Sequence, residues 1–566
     1  MGRQDRRTHR GPLGATTLLA RLLVYWHTVR YLRISQILWR LWYRIYNPTI
    51  DCRNPPQARE RYAYWQTHVT RDYSLLSPQR VRFLNVEADI SSENIWNDWG
   101  KSKLWLYNLH YFDDLNAINA VVRVDWHRVL IERWVSENPP GVGNGWEPYP
   151  TSLRVVNWIK WLASGNAPTP LMQQSLATQV RWLEKKLEFH ILGNHLLANA
   201  KALCFAGLYF FGEEADRWWA RGLRILQDQL KEQILSDGGH FELSPMYHLI
   251  VLEDLLDIVQ LCRIYERPAP RFLTVALPRM CFWSQVMRHP DGEIPFFNDA
   301  TFGVAGTPGE LDSYASDFGV ITKKLVSPRQ YLPSSGYLKI SDRGATLFAD
   351  LAAVGPDYLP GHAHADTLSF ELSLGLRRVV VNGGTSVYGT DHERQRQRAT
   401  TAHSTVTIDG ESSSEVWGGF RVARRARVEQ VKVSDGQRLW ASGAHDGYKR
   451  FSGSPVHHRE WRFAENSLEV VDEITGNGEH AVDINFPLGP GLVPRRIDSS
   501  SIEVVDVQSG NQLCVFCSSL PDSTSLEETT WHPRFGVTLP TWRIVIRSNQ
   551  PLPLKHVAEF TWTTSH

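Results

Sequence analysis

Apolar residues recur at three- and four-residue spacing through segments 151–164, 171–188, 215–234, 246–265 and 270–288. That period predicts helices that bury one face. Clusters such as Asn138-Pro139-Pro140-Gly141 and Gly193-Asn194 punctuate them. Long helices with short links predict helical hairpins over about residues 60–325, stacked as a solenoid or closed into a toroid. No fixed sequence period runs through them, which disfavours an ordinary short-repeat solenoid. Near residue 330 the pattern changes. Segments 337–341, 345–354, 367–374, 378–382, 404–408, 426–433, 438–442, 468–473, 481–486, 502–507, 512–518 and 541–547 read as short strands. Asp409-Gly410, Asp435-Gly436 and Ser509-Gly510 supply turn chemistry between some of them. Many closely spaced strands predict a large antiparallel sandwich. Pro328 and Pro333, set among polar residues, mark the change.

The first residues are Arg-rich, and Leu18, Leu19, Leu22, Leu23 and Val24 follow, interrupted by Arg21, His27, Arg30 and Arg33. The run is too broken for a transmembrane span and lacks the small-residue cleavage site of a signal peptide. From Thr16 to Tyr46 it reads as a basic amphipathic helical segment, docked on the main domain or lying on a membrane surface. A cytoplasmic or membrane-peripheral location is expected, or a periplasmic one by an atypical export route.

Composition narrows the classes. A chain of 566 residues, 42% hydrophobic, has apolar mass for two cores. The balance of 61 basic to 60 acidic residues lacks the electrostatic footprint of a nucleic-acid binder. Local basic patches for an acidic polymer remain open. The 22 Trp serve core packing first and sugar stacking second. Cys52, Cys204, Cys262, Cys281, Cys514 and Cys517 are too scattered for a disulfide framework. Cys514 and Cys517 lie three apart on an expected strand, so they face opposite ways and make a poor zinc pair.

Several constellations carry chemistry. In the run from Gly361 to Leu372, a strand would align His362, His364 and Asp366 with Leu368, Phe370 and Leu372. The polar end of that stripe suits a metal or a catalytic site. Arg394, Arg396 and Arg398 precede His403 and suit an acidic ligand, or form a solvated loop. Asn194 stands at a helix start, where capping competes with catalysis. Ser244 and Pro245 read as N-cap and first helical residue. Tyr247 then falls in the first turn, little buried, where the helix dipole would favour a phenolate, with packing as the plainer role. Arg154 and Asn157 share a helix face near Trp146 and Tyr149, as a sugar subsite or a structural aromatic cluster.

Together these motifs resemble the heparinase II/III family and related alginate lyases. The resemblance runs from about Trp105 (Trp105-Leu106-Tyr107-Asn108-Leu109-His110-Tyr111-Phe112) to about Arg425. Asn194-His195, the Ser-Pro-x-Tyr at 244–247 and the Gly-His-x-His-Ala-Asp at 361–366 occur in the family's order. After the basic helical segment, taken as 1–60, the resemblance implies an incomplete (α/α) toroid over 61–328 and an antiparallel β-sandwich over 329–566, with the site in the cleft between these two. It implies a lyase that cleaves a uronic-acid-containing, acidic polysaccharide by β-elimination. In that role Asn194 and His195 hold the carboxylate, Tyr247 is base, acid or both, and His362 is its partner across the interface. Tyr107, His110, Trp146, Tyr149, Arg154, His240, Glu242 and Arg398 are the expected substrate-binding residues. The resemblance also implies a structural divalent metal, zinc or calcium, in the sandwich at His364, Asn382 and His403. Asn382 stands where the family has Asp, and an amide oxygen is a weaker ligand.

Two other readings share these residues. One is a glycoside hydrolase on the same architecture, with Glu242 paired to Asp237 or Asp299. The other is a non-catalytic polysaccharide-binding or assembly factor of a bacterial capsule or exopolysaccharide system.

Overall fold

The computed structural model of this chain describes residues 18–323, 325 and 327–563. Thr16 and the Arg-rich start lie outside the described residues. Helices fill the first part, and antiparallel sheets fill the part after residue 328, so the chain is an incomplete (α/α) toroid followed by a β-sandwich. The expected helices are present as Pro148–Ala163, Pro170–Lys185, Glu213–Gln233, Pro245–Ile264 and Arg271–Val286. Local chemistry sets their starts. Pro148, Pro170 and Pro245 open helices, where a missing N–H costs nothing. The Thr169 and Ser244 side chains accept first-turn N–H groups from Met172 and Tyr247.

The helix Gly193–Tyr209 packs closely on Glu213–Gln233. Gly207 permits the approach: a Cβ there would stand 2.5 Å from the Trp219 backbone nitrogen. Main chain cannot yield as a flexible side chain can. Gly207→Ala is therefore expected to cost about 1–3 kcal/mol, despite the better helix propensity of Ala. A urea midpoint unchanged from the parent would show that the pair is not closed by this contact.

A small antiparallel sheet, Leu75–Ser77, Arg80–Phe83 and Val86–Asp89, interrupts the helical region and was not expected from the sequence. Its second turn places Leu84 and Asn85 at φ 52° and 60°. A leucine in the left-handed region carries no turn signature.

The sandwich holds three larger sheets. One has eight strands, in the edge-to-edge order Val428–Val433, Trp440–His445, Val456–Ala464, Ser467–Thr475, Leu554–Thr561, Gln512–Ser518, Ser501–Asp506 and Leu492–Arg496. A four-stranded sheet contains Val406–Ile408, and a five-stranded sheet contains Phe370–Leu374. Phe370, Trp461, Phe486, Phe516 and Phe560 meet in their common core. The strand Val456–Ala464 escaped the sequence reading because its inward positions include His457 and Arg459. Both are fully buried, and both bind Asp472 on the adjacent strand, at 2.7 Å each.

One correction concerns the run from Gly361 to Leu372. The strand begins only at Phe370, and Leu368 sits at φ 59°, which ends any alternation before it. The polar residues instead bind a neighbouring loop. Asn298 N donates to Asp366 Oδ2 at 2.8 Å, and His364 N donates to Asn298 Oδ1 at 3.0 Å.

The N-terminal segment forms two helices, Leu18–Val29 and Ile34–Ile45. They dock on both lobes. Tyr43 Oη donates to the Leu187 carbonyl, Trp39 stacks on Phe189, and Trp417 Nε1 donates to Thr28 Oγ1 at 3.0 Å. Among the described residues, no helix is long and apolar enough to cross a membrane.

Candidate active site

A cavity of about 770 Å³ opens between the toroid and the sandwich, with Tyr149, Asn157, Asn194, Tyr247, Tyr388 and Phe535 among its walls. Asn194 reaches it because it is not the cap that the sequence suggested. The helix starts at Gly193, with Leu192 in the cap position, so Asn194 already lies inside the first turn. Its backbone N–H points to Glu242 Oε1 at 3.4 Å.

Tyr247 lies in the first turn after its Ser244 cap. Its ring stacks on the His362 imidazole with centroids 3.8 Å apart. Its hydroxyl is 3.1 Å from that of Tyr388, which comes from the sandwich. His362 bridges two carboxylates: Nδ1 is 2.9 Å from Asp299 Oδ2, and Nε2 is 3.5 Å from Glu242 Oε2. Phe420 closes against both His362 and Tyr388. Asp299 anchors this cluster. Arg394 grips both its oxygens, His364 Nε2 lies 2.8 Å from Oδ1, and Thr385 Oγ1 donates at 3.2 Å.

Burial and partners divide the protons. Burial opposes charge on Asp299, but Arg394, His362 and His364 outweigh it and hold its pKa well below the carboxylate range. An ionised Asp299 accepts from His362 Nδ1–H, which leaves Nε2 to face Glu242. Burial raises the Glu242 pKa, against the pull of His362. Among the described residues Glu242 Oε2 accepts no hydrogen bond, and His362 Nε2 is the ring nitrogen that faces it across 3.5 Å. Burial also pushes Tyr247 well above an ordinary phenol, reinforced by Tyr388, Tyr149 and Asp299. The expected phenolate is therefore corrected: Tyr247 is 8% exposed, and desolvation exceeds the helix-dipole effect. At rest it is a neutral phenol.

His195 stands beside Asn194, its side chain 28% exposed. Burial disfavours its charge, yet Glu188, 3.0 Å from Nδ1, raises its pKa overall. The Tyr149 ring lies 4.3 Å from the imidazole, a further support for a cation.

Several expected substrate contacts lie elsewhere. Trp146 is buried and gives its Nε1–H to the Asn138 carbonyl at 3.1 Å. His110 is enclosed between the Trp96 carbonyl and the Trp134 indole N–H. Arg154 is fully buried, spending its donors on Gln179 and the His110 and Gly145 carbonyls over the face of Trp134. Arg398 is likewise buried and holds the Ala363, Gly418 and Arg421 carbonyls. These four brace the walls. His240 is buried against Gln233, while Tyr107 is half-buried and donates to Glu147. Arg396 pairs with Glu393, so the three arginines form neither a free anion cradle nor a solvated loop.

The proposed metal ligands are neighbours but do not converge. His403 Nε2 faces His364 Nδ1 at 3.3 Å, and its other nitrogen faces Asn382 Oδ1 at 3.2 Å. His364 and Asn382 thus face different ring nitrogens of His403, and the three donors are not aimed at one point in this arrangement. The residues do not fit a three-ligand centre.

The hydrolase pairs fail on position. Asp299 is fully buried in its salt bridge, and Asp237 accepts from the Ser334 and Ser335 backbone. Neither leaves a free carboxylate to pair with Glu242 across a sugar. Tyr388 escaped the sequence reading: it lies 141 residues from Tyr247 in a loop with no periodic signal. Glu188 escaped similarly, although it is only seven residues from His195.

Comparisons with known proteins follow the same division. The family model "Heparinase II/III N-terminus" matches residues 133–318, and "Heparinase II/III-like, C-terminal" matches residues 325–563. A heparin-sulfate lyase of Bacteroides stercoris is 23% identical over 395 residues, covering 64% of this chain and 57% of the relative. FtsZ-localized protein C of Caulobacter vibrioides is 27% identical over 367 residues, covering 62% and 61%. This chain thus spans roughly three-fifths of the length of each of these curated relatives. A crystal structure of heparinase III superposes with a TM-score of 0.68 at 17% identity, covering 94% of this chain and 90% of that one, a likeness of fold. With both family models matched in order across most of its length, the chain belongs to the heparinase II/III family.

Proposed function

We propose that this chain is a polysaccharide lyase that cleaves a uronic-acid-containing polymer by β-elimination. The observation that carries the reading is the Tyr247 hydroxyl, stacked over His362 and paired with Tyr388 at the wall of the inter-lobe cavity. Elimination needs three things: a neutralised carboxylate, a base for the proton alpha to it, and an acid for the departing glycosidic oxygen. Asn194, as an amide donor, and His195, as a cation favoured by Glu188, suit the first. A neutral Tyr247 suits the acid role. His362, fixed in one tautomer by Asp299, presents Nε2 toward Glu242 and can accept a proton on that side. The heparin-sulfate lyase relatives support the reaction class.

Each cleavage by elimination creates a sugar double bond conjugated to the carboxylate, which absorbs in the near ultraviolet. A panel of uronate polymers, sulfated and unsulfated, should yield absorbing products from at least one member. Reducing ends without absorbance would mark a hydrolase. Binding without any cleavage would mark an assembly factor.

The His195 assignment gives a pH test. Glu188 raises the imidazole above its ordinary value of 6.5, so the protonated form is the one the fold favours. Its stabilisation is complete below 6.5 and is lost as pH rises through the higher folded-state value. The charge available to a substrate carboxylate disappears over the same window. kcat/KM should therefore fall on an alkaline limb above 6.5 that His195→Gln removes. A limb that survives the substitution would assign it to another group.

A further inference from the structure

Among the described residues, the two N-terminal helices present an exposed apolar side. In Ile34–Ile45, the residues Gln36, Trp39 and Tyr43 face the toroid. Ile34, Leu38, Leu41 and Ile45 follow at i, i+4, i+7 and i+11, which places them on one stripe of the opposite side. Ile34 is 76% exposed and Leu38 60%. In Leu18–Val29, the residues Leu22, Trp26 and Val29 make a second exposed stripe, with Trp26 at 63%. Exposed large hydrophobics occur singly on most proteins, but a row on each of two consecutive helices is a surface built for contact.

Charge identifies the contact. No Asp or Glu occurs from residue 18 to residue 50. Arg21, Arg40 and Arg44 are exposed on the same two helices, and Arg30 is exposed directly after the first. Trp26 and Trp42 add amphipathic rings suited to a headgroup boundary. A second copy of the chain on this face would set arginine against arginine. An anionic lipid surface would take the stripes into its acyl boundary and the guanidinium groups among its phosphates.

We propose that these helices form a peripheral membrane-binding face for anionic phospholipid. The full chain should pellet with vesicles of phosphatidylcholine and phosphatidylglycerol at about 7:3 in low salt, and much less with phosphatidylcholine alone. Leu38→Glu with Leu41→Glu should lower the vesicle partition coefficient at least about tenfold while leaving the thermal melt unchanged. Arg40→Glu with Arg44→Glu should remove the dependence on phosphatidylglycerol. Three results would overturn the proposal: parent protein left in the supernatant with both compositions, leucine variants that pellet as the parent does, or a lipid-free dimer that those variants dissociate. The double arginine variant keeps the apolar stripes, so the result does not rest on one substitution folding well.

Discussion

Tyr247→Phe is expected to reduce turnover by about 10²–10⁴-fold, the range for removing a positioned proton-transfer group, with no loss of fold. The substitution deletes one oxygen. The ring keeps its 3.8 Å stack on His362, and the Ser244 cap, which bonds the Tyr247 backbone N–H, is untouched. Tyr388 loses one partner 3.1 Å away but remains at a cavity wall, where water can replace it. If Tyr247 protonates the leaving oxygen, the loss falls on kcat, because the hydroxyl is needed more in the transition state than in the bound substrate. Substrate binding, measured with the inactive variant by titration calorimetry, should stay close to that of the parent. Full turnover with a correct near-ultraviolet product would remove Tyr247 from the chemistry. A raised KM with kcat intact would make it a binding residue. Tyr388→Phe gives a useful contrast, since its hydroxyl touches the same oxygen from the sandwich side; a much smaller loss there would place it as a positioning residue.

Much of the architecture was legible because hydrophobic period depends on local sequence. Helices such as Pro170–Lys185 and Pro245–Ile264 show it, and the Ser244-Pro245 start was written in cap chemistry. Legibility failed where polar groups are satisfied at long range. The strand Val456–Ala464 turns His457 and Arg459 inward because Asp472 waits on the adjacent strand. Arg154 and Arg398 looked like ligand-binding cations, but main-chain carbonyls distant in sequence consume their donors. The site followed the same rule. Asn194, Tyr247 and His362 were singled out by motif order, whereas the pairing of Tyr247 with Tyr388 depends on how the lobes meet. Asp299 was noticed only as one half of a carboxylate pair. Its surroundings make it the anchor of the whole cluster.

That anchor gives the largest expected effect on stability. Asp299→Asn keeps the shape of the side chain and removes its charge. Arg394, fully buried and held by both Asp299 oxygens, would be left as an uncompensated cation. Breaking one side of such a buried pair costs about 3–5 kcal/mol. The wild-type contribution is complete above the ordinary carboxylate value of 3.8, because the folded-state pKa lies well below it. It is lost only as pH falls through that lower value. The deficit of the variant, read from urea midpoints, should therefore hold steady from about pH 5 to 8 and narrow in strong acid. A second substitution separates the burial of Arg394 from the orientation of His362. Asp299→Asn with Arg394→Met removes both charges and should recover much of the lost stability, since a buried pair replaced by apolar groups is often neutral. Activity should not recover with it. His362 would still lack the anionic partner that fixes its tautomer, and the hydrogen bond from Nδ1 would meet an amide instead of a carboxylate. If stability and turnover returned together, the role of Asp299 would be to neutralise Arg394. If stability returned alone, Asp299 would be the group that positions His362 for proton transfer.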